Sequence, residues 1–182
     1  MIIDSLSIEN EKENYTTLAA VIDNYIYDLR KLKVKESLSA FQNTEHRLEF
    51  VSRVHGIDFI NDSRATNVNA TWYALETMNH PVIWITGGID RNNNYKIIKN
   101  LVQQKVKAII CLGKNNLKII NFFSKIIPYI IETTSMVEAV NISYSIGETD
   151  DIVLLSPTCA SFDLFENYKD RGHQFKQAVY DL

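Results

Sequence analysis

The segment PVIWITGG, residues 81–88, decides how the chain is read. Val82 to Ile85 are apolar without a break, and two glycines end the run. A strand with one wet face alternates apolar and polar residues, whereas one covered on both faces does not. The run is too short for a helix of ordinary length. It therefore predicts a strand buried on both sides of a sheet. Two further segments share its character, VKAIICLG at 106–113 and DIVLLSP at 151–157, and YIIET at 129–133 is a weaker strand candidate.

Helical patterns separate these strands. ATWYALETM, YKIIKNLVQQ, NLKIINFFSKI and SMVEAVNISYSI carry apolar residues at three- and four-residue steps. In the last, Ser135 and Glu138 match a capping box. FENYKDRGHQFKQAVYDL ends the chain as a helix expected to break near Gly172. Upstream, RLEFVSRVHGIDFIND places a His-Gly turn between two apolar runs, the pattern of a β-hairpin. The expected fold is α/β: a mostly parallel, Rossmann-like sheet with helices on both faces, preceded by the hairpin and by an N-terminal helical segment. Leu18, Val21, Ile22, Tyr25, Ile26, Leu29 and Leu32 give that segment one apolar stripe, and LKVKESLSAF suggests a second short helix. The expected division is residues 1–43 and 46–182, with a polar joint between.

Composition narrows the function classes. The 182 residues are 46% hydrophobic and 23% charged, with a formal net charge of -3. That balance argues against a broad nucleic-acid or acidic-membrane surface. No apolar run approaches the ~20 residues of a membrane span. Cys111 and Cys159 make neither a disulfide framework nor a zinc motif, so a reducing, cytoplasmic location is expected.

In open parallel sheets, ligands bind beyond the carboxyl ends of the strands. Three polar clusters fall at such ends: NDSRATN (61–67), TGGIDRNNN (86–94) and SPTCASFDLF (156–165). Each has a plain structural reading. Asp62 or Ser63 could cap the helix that follows. Gly87-Gly88 could form a tight turn. Ser161 could cap a helix, with Phe162 in the core and Cys159 a small buried side chain. The functional reading uses Arg64 and Arg91 as fixed cations, with Thr66 and Ser161 as hydroxyl donors. His46 beside Arg47 at the joint is a further candidate. Neither a G-x-x-x-x-G-K-[ST] phosphate loop nor a G-x-G-x-x-G fingerprint occurs in these residues.

Taken in order, HRLEFV, FINDSRATN, WITGGIDRNNNY, IICLG and LLSPTCASFDLFENYKDRGHQF resemble the C-terminal domain of the Mur ligases, in particular those that add D-glutamate to UDP-N-acetylmuramoyl-L-alanine. The resemblance covers residues 46–182. It implies an ATP-dependent, ADP-forming ligase of peptidoglycan precursor synthesis, with ATP and Mg2+ as cofactors and the magnesium ligands elsewhere than in these residues. It implies that Thr66, Arg91, Ser161, Tyr168 and the backbone at Phe162 hold D-glutamate. It also implies that His46, Arg47, Asp62 and Arg64 approach the nucleotide, Asp62 at the ribose. Arg64 and Arg91 stand where the family commonly has lysine, which keeps charge but changes reach. Upstream, Lys12, Glu13 and Thr16 replace a His and two Asn of a family motif that ends near Ala19-Ala20. Residues 1–43 resemble the helical end of the family's central domain. The expected partners are D-glutamate, ATP phosphates and a separate chain carrying the P-loop and UDP-binding domains. The alternative is a non-catalytic module, derived from such a ligase, that binds a ligand or partner.

Overall fold

The computed structural model describes residues 21, 22, 25, 26, 28, 29, 32 and 44–182. Residues 82–87 form the strand that their apolar run demands, β3 (Val82–Gly87), with Ile83, Trp84 and Ile85 fully buried. Burying one such side chain contributes about 1.5–3 kcal/mol relative to leaving it in water. The other strands are β1 (Glu49–Val54), β2 (Ile57–Asn61), β4 (Val106–Leu112), β5 (Tyr129–Thr133) and β6 (Ile152–Thr158). They make one six-stranded sheet in the order β1-β2-β6-β3-β4-β5. Every neighbouring pair is parallel except the β1–β2 hairpin. His55 and Gly56 at the hairpin tip both have positive φ, 47° and 85°. A type I′ turn requires this at both central positions, and glycine meets it without steric cost. The hairpin does more than precede the sheet, because β2 pairs directly with β6.

The helices of this unit are α1 (Val68–Thr77), α2 (Lys99–Lys105), α3 (Leu117–Phe123), α4 (Met136–Ile146) and α5 (Tyr168–Tyr180), with a 3-10 turn at Tyr95–Ile97. Side chains alternate across each strand and divide the core in two. Ile83, Ile85, Ile110, Val153 and Leu155 face α4 and α5, where Met136, Ala139, Phe175 and Val179 meet them. Trp84 takes the opposite face and packs edge-on against Phe123 of α3, with ring centroids 5.6 Å apart. Its indole N–H donates to the Ser156 carbonyl at 2.8 Å, so its one polar atom is satisfied. Lys105 closes the end of α1, donating to the carbonyls of Leu75, Glu76 and Met78 at 2.8–2.9 Å. A cation suits the carbonyls that a helix C-terminus leaves unpaired.

Three local expectations change. The cap of α1 is Asn67, whose side chain accepts from Ala70 N–H; Asp62 and Ser63 lie too far upstream and are both buried. At α4, Ser135 accepts from Glu138 N–H as expected, but the Glu138 carboxylate takes the Thr133 hydroxyl, and that hydroxyl in turn accepts from Ser135 N–H. Helix α5 runs unbroken through Gly172. A side chain at 172 would collide with the His46 ring, approaching its Cγ and Cε1 to 2.8 Å. The glycine is there for close packing, not as a break.

The chain divides into the units Met1–Ala40 and Phe41–Leu182. In the first, Val21, Ile22, Tyr25, Ile26, Leu29 and Leu32 are helical and exposed. Leu18 and the part of LKVKESLSAF beyond Leu32 lie outside the described residues. Among the described residues, no helix is long and apolar enough to cross a membrane.

Gly172→Ala discriminates between a helix weak point and a packing contact. Alanine is the better helix former by about 0.8–1 kcal/mol, so a weak point would gain stability. The His46 contact predicts a loss of about 1–3 kcal/mol, the usual cost of overpacking. Urea denaturation of the two proteins reads the sign directly.

Candidate functional site at the carboxyl edge of the sheet

Parallel pairing brings the ends of β2, β6 and β3 to one edge, so the three polar clusters become neighbours. The β3 and β6 loops touch through a short antiparallel bridge. Ile89 N–H donates to the Ala160 carbonyl at 2.8 Å, and Ala160 N–H returns a bond to Ile89 at 3.2 Å. A side chain at Gly88 would strike the Ala160 carbonyl, and Gly88 has φ 120°, so glycine is required on both counts. This bridge places Arg91, two residues along, on the same edge as Ser161. Arg91 is exposed, and its loop is pinned from behind. Asn93 donates to the Thr158 carbonyl at 2.9 Å, and Tyr95 donates to the Asp90 carboxylate at 2.7 Å.

The β2 and β6 loops are joined by Arg171, which lies outside all three polar clusters of the sequence. It is 1% exposed on the inner face of α5. Its Nε donates to Ser63 Oγ at 3.0 Å, its Nη2 to the Ser63 carbonyl at 2.8 Å and its Nη1 to the Cys159 carbonyl at 3.2 Å. Ser63 Oγ passes its own proton to the Tyr168 carbonyl at 2.7 Å. One guanidinium thus fixes the loop that carries Arg64 and Thr66, the turn that carries Ser161, and the start of the helix that carries Tyr168. Burial pulls the Arg171 pKa down to about 10, with nearby Cys159, Asp163 and Asp62 opposing. A sequence signal existed: Arg171 shares a helical face with Phe175, Ala178 and Val179, at i+4, i+7 and i+8. Thr158 adds a second device. It sits at φ 59°, unusual for a β-branched residue, where the chain leaves β6.

The remaining candidates are placed as follows. Thr66 is half-buried, and its N–H bonds to the Arg64 carbonyl at 2.9 Å. Arg64 is half-buried, and its N–H bonds to the His46 carbonyl at 3.1 Å. Ser161 is buried, with its carbonyl closing the turn to Leu164 and Phe165. Phe162 is exposed, not in the core. Asp62 is fully buried and presents no surface. Its oxygens accept from Leu48 N–H at 3.3 Å and Ser156 Oγ at 2.9 Å. Burial pushes its pKa up to about 7, against the pull of Arg47 and Ser156. Arg47 has a buried Nη2 with no hydrogen-bond partner. His46 is buried, and burial holds its pKa below the usual imidazole value. Cys159 is buried with a raised pKa, as a packing residue should be and a thiolate nucleophile should not. A cleft of about 600 Å³ opens on the β4 side of the Arg91 loop, lined by Gly88, Ile89, Asp90, Asn92, Lys114 and Asp163 among others. None of the nine residues named for amino acid or nucleotide lines it.

Two measurements test this arrangement. Arg171→Met keeps the stem but deletes three hydrogen bonds from a charged donor. A loss of at least about 1.5–3 kcal/mol is expected in urea denaturation. For Asp62 the folded value, about 7, lies above the ordinary 3.8. The stability tied to its neutral form is therefore whole below about pH 4 and is lost as the pH rises to about 7. Stability followed from pH 4 to 8 should fall less in Asp62→Asn than in the parent.

A family model for the Mur ligase glutamate ligase domain matches residues 46–159. UDP-N-acetylmuramoylalanine--D-glutamate ligase of Christiangramia forsetii is 50% identical over 97% of this chain and 40% of its own length. The protein of the same name in Porphyromonas gingivalis is 47% identical over 97% of this chain and 39% of its own. The chain thus spans about 40% of the length of these relatives. Among solved structures, a murein peptide ligase from Psychrobacter arcticus superposes with a TM-score of 0.52 at 13% identity, covering 81% of this chain and 32% of that one. A bifunctional folylpolyglutamate synthase/dihydrofolate synthase from Yersinia pestis gives 0.51 at 12%, covering 78% and 32%. These two agree in fold. With sequence motifs, carboxyl-edge geometry and family model in accord, the chain belongs to the Mur ligase family and carries its glutamate ligase domain.

Proposed function

We propose that residues 46–182 are the amino-acid-binding domain of an ATP-dependent ligase that joins D-glutamate to UDP-N-acetylmuramoyl-L-alanine. The observation that carries this reading is the Arg171–Ser63 junction, with the Ile89–Ala160 bridge beside it. Together they hold the Thr66, Arg91, Ser161 and Tyr168 segments on one edge. D-glutamate brings two carboxylates and one amine. Arg91 offers an exposed guanidinium, Thr66 and Ser161 offer hydroxyls, the backbone at Phe162 offers a peptide N–H, and Tyr168 forms a wall. Charge-assisted hydrogen bonds of this kind are the stronger class. Their task is to fix the amino acid while its amine attacks an activated carboxyl group, so orientation is the domain's main contribution.

On the nucleotide side, the unmatched Nη2 of Arg47 suits an anionic group, and Arg64 stands on the same loop system. Bound ATP would supply the phosphoryl group that activates the carboxyl. Asp62 is assigned as a support behind Arg47 rather than a ribose contact, since it lies inside the protein. Magnesium does not fit the candidate cluster found among the described residues. It prefers oxygen ligands, and the one three-residue cluster of metal-binding groups among the described residues contains two histidines.

Titration with D-glutamate, followed by NMR, tests the amino-acid site. Arg91→Ala should weaken binding by about 1.5–3 kcal/mol, and equal shifts in both proteins would remove Arg91 from the site. Phosphate release tests the division of labour. The 182-residue chain alone, given ATP, magnesium, D-glutamate and UDP-N-acetylmuramoyl-L-alanine, should show no substrate-dependent turnover. Phosphoryl transfer needs an anion cradle with its lysine, and no such motif occurs in these residues.

A further inference from the structure

We propose that Lys118 is a positioning residue of the amino-acid site: it neutralises Asp90 and so leaves the Arg91 guanidinium free for a substrate carboxylate. The inference rests on the reading of Arg91 as a D-glutamate contact. Arg91 follows Asp90 directly in the chain, and consecutive α-carbons lie about 3.8 Å apart. A carboxylate this close has two effects on an anion site. It competes with the substrate for the guanidinium, and it repels the substrate's own charge. Lys118, on α3, meets that carboxylate. Its Nζ lies 2.9 Å from Asp90 Oδ1, with the Asp90 side chain 20% exposed and that of Lys118 47% exposed. The same ammonium stands 5.7 Å from the centre of the Tyr95 ring.

The remaining contacts of Asp90 fix the loop without cancelling its charge. Oδ1 also accepts from Asn93 N–H at 2.9 Å, and Oδ2 accepts from the Tyr95 hydroxyl at 2.7 Å. Burial alone would raise the Asp90 pKa, but the bonds from Lys118, Tyr95 and Asn93 outweigh it and hold the group below the ordinary carboxylate value. Asp90 is therefore an anion at neutral pH, and of these three donors only Lys118 is a cation. Ties at Ile89, Asp90, Asn93 and Tyr95 secure both arms of the loop. Arg91 and Asn92 form the exposed crest between them. Among the described residues, Asp90 pairs with Lys118 and not with Arg91. Half-exposed ion pairs add little to folding. A pair of that kind, one residue from the candidate ligand cation, acts on the site more than on stability.

Two measurements on the 182-residue chain test this role. The Asp90 carboxyl carbon, followed by NMR, should titrate at higher pH in Lys118→Met than in the parent, since the cation that favours its charged form is gone. An unchanged titration would overturn the inference whether or not D-glutamate binds. In NMR titrations with D-glutamate, Lys118→Met should weaken binding about two- to fivefold, the size expected between exposed charges. Lys118→Arg should retain most of the parent's affinity. The loss should disappear when Lys118→Met is made in Asp90→Asn, because no charge is left to cancel. Asparagine keeps an oxygen for Asn93 N–H, so the loop stays tied. Equal weakening in both backgrounds means that Lys118 acts on the ligand itself, and no weakening in either means that it does not act at all; each result overturns the positioning role. No binding by the parent, or binding unchanged in Arg91→Ala, would instead remove the D-glutamate reading and this inference with it.

Discussion

A buried guanidinium governs this domain. Arg171 lies on the apolar face of α5, where an unpaired cation would be very costly. It is tolerated because three backbone and hydroxyl oxygens, from Ser63 and Cys159, receive its protons. The demand works in both directions. The guanidinium needs those oxygens in a fixed fan, so the loops after β2 and β6 must sit where Arg171 places them. Ser63 extends the constraint to the Tyr168 carbonyl. The candidate amino-acid site is therefore held by one residue that touches none of the proposed ligand groups.

The sheet supplies the platform for that junction. Strands β3, β4 and β6 are buried on both faces, which forces helices above and below and leaves the carboxyl edge as the open place for polar loops. Insertion of β6 between β2 and β3 sets the Ser161 turn between the Thr66 and Arg91 loops. Backbone contacts then complete the edge, with the Ile89–Ala160 bridge permitted only because Gly88 has no side chain.

Gly172, the next residue of α5 and also buried, shows the same dependence on a missing atom. Gly172 lets the helix close on His46, which brings the imidazole beneath the helix and turns its Nε2 toward Glu45 and His173. Helix propensity alone disfavours glycine there. Its presence marks a place where packing against a ring outweighs the preference of the backbone.

Local chemistry determined the elements. Unbroken apolar runs could only be strands covered on both faces, His55-Gly56 could supply the two positive φ values of a tight hairpin, and Ser135 could cap α4; each depends on residues adjacent in the chain. The resemblance in the motifs added the family. Contacts across the chain decided the rest. Asn67, not Asp62, caps α1 because the strand end buries Asp62 against Ser156, ninety-four residues away in sequence. Gly172 reads as a helix break in the sequence because His46, the reason for it, is far upstream. Phe162 was allowed a core position by its type, but the turn at Ser161 points it to solvent. Burial and partner identity are properties of the folded contact map, and a sequence pattern reports only the periodicity that its own neighbours impose.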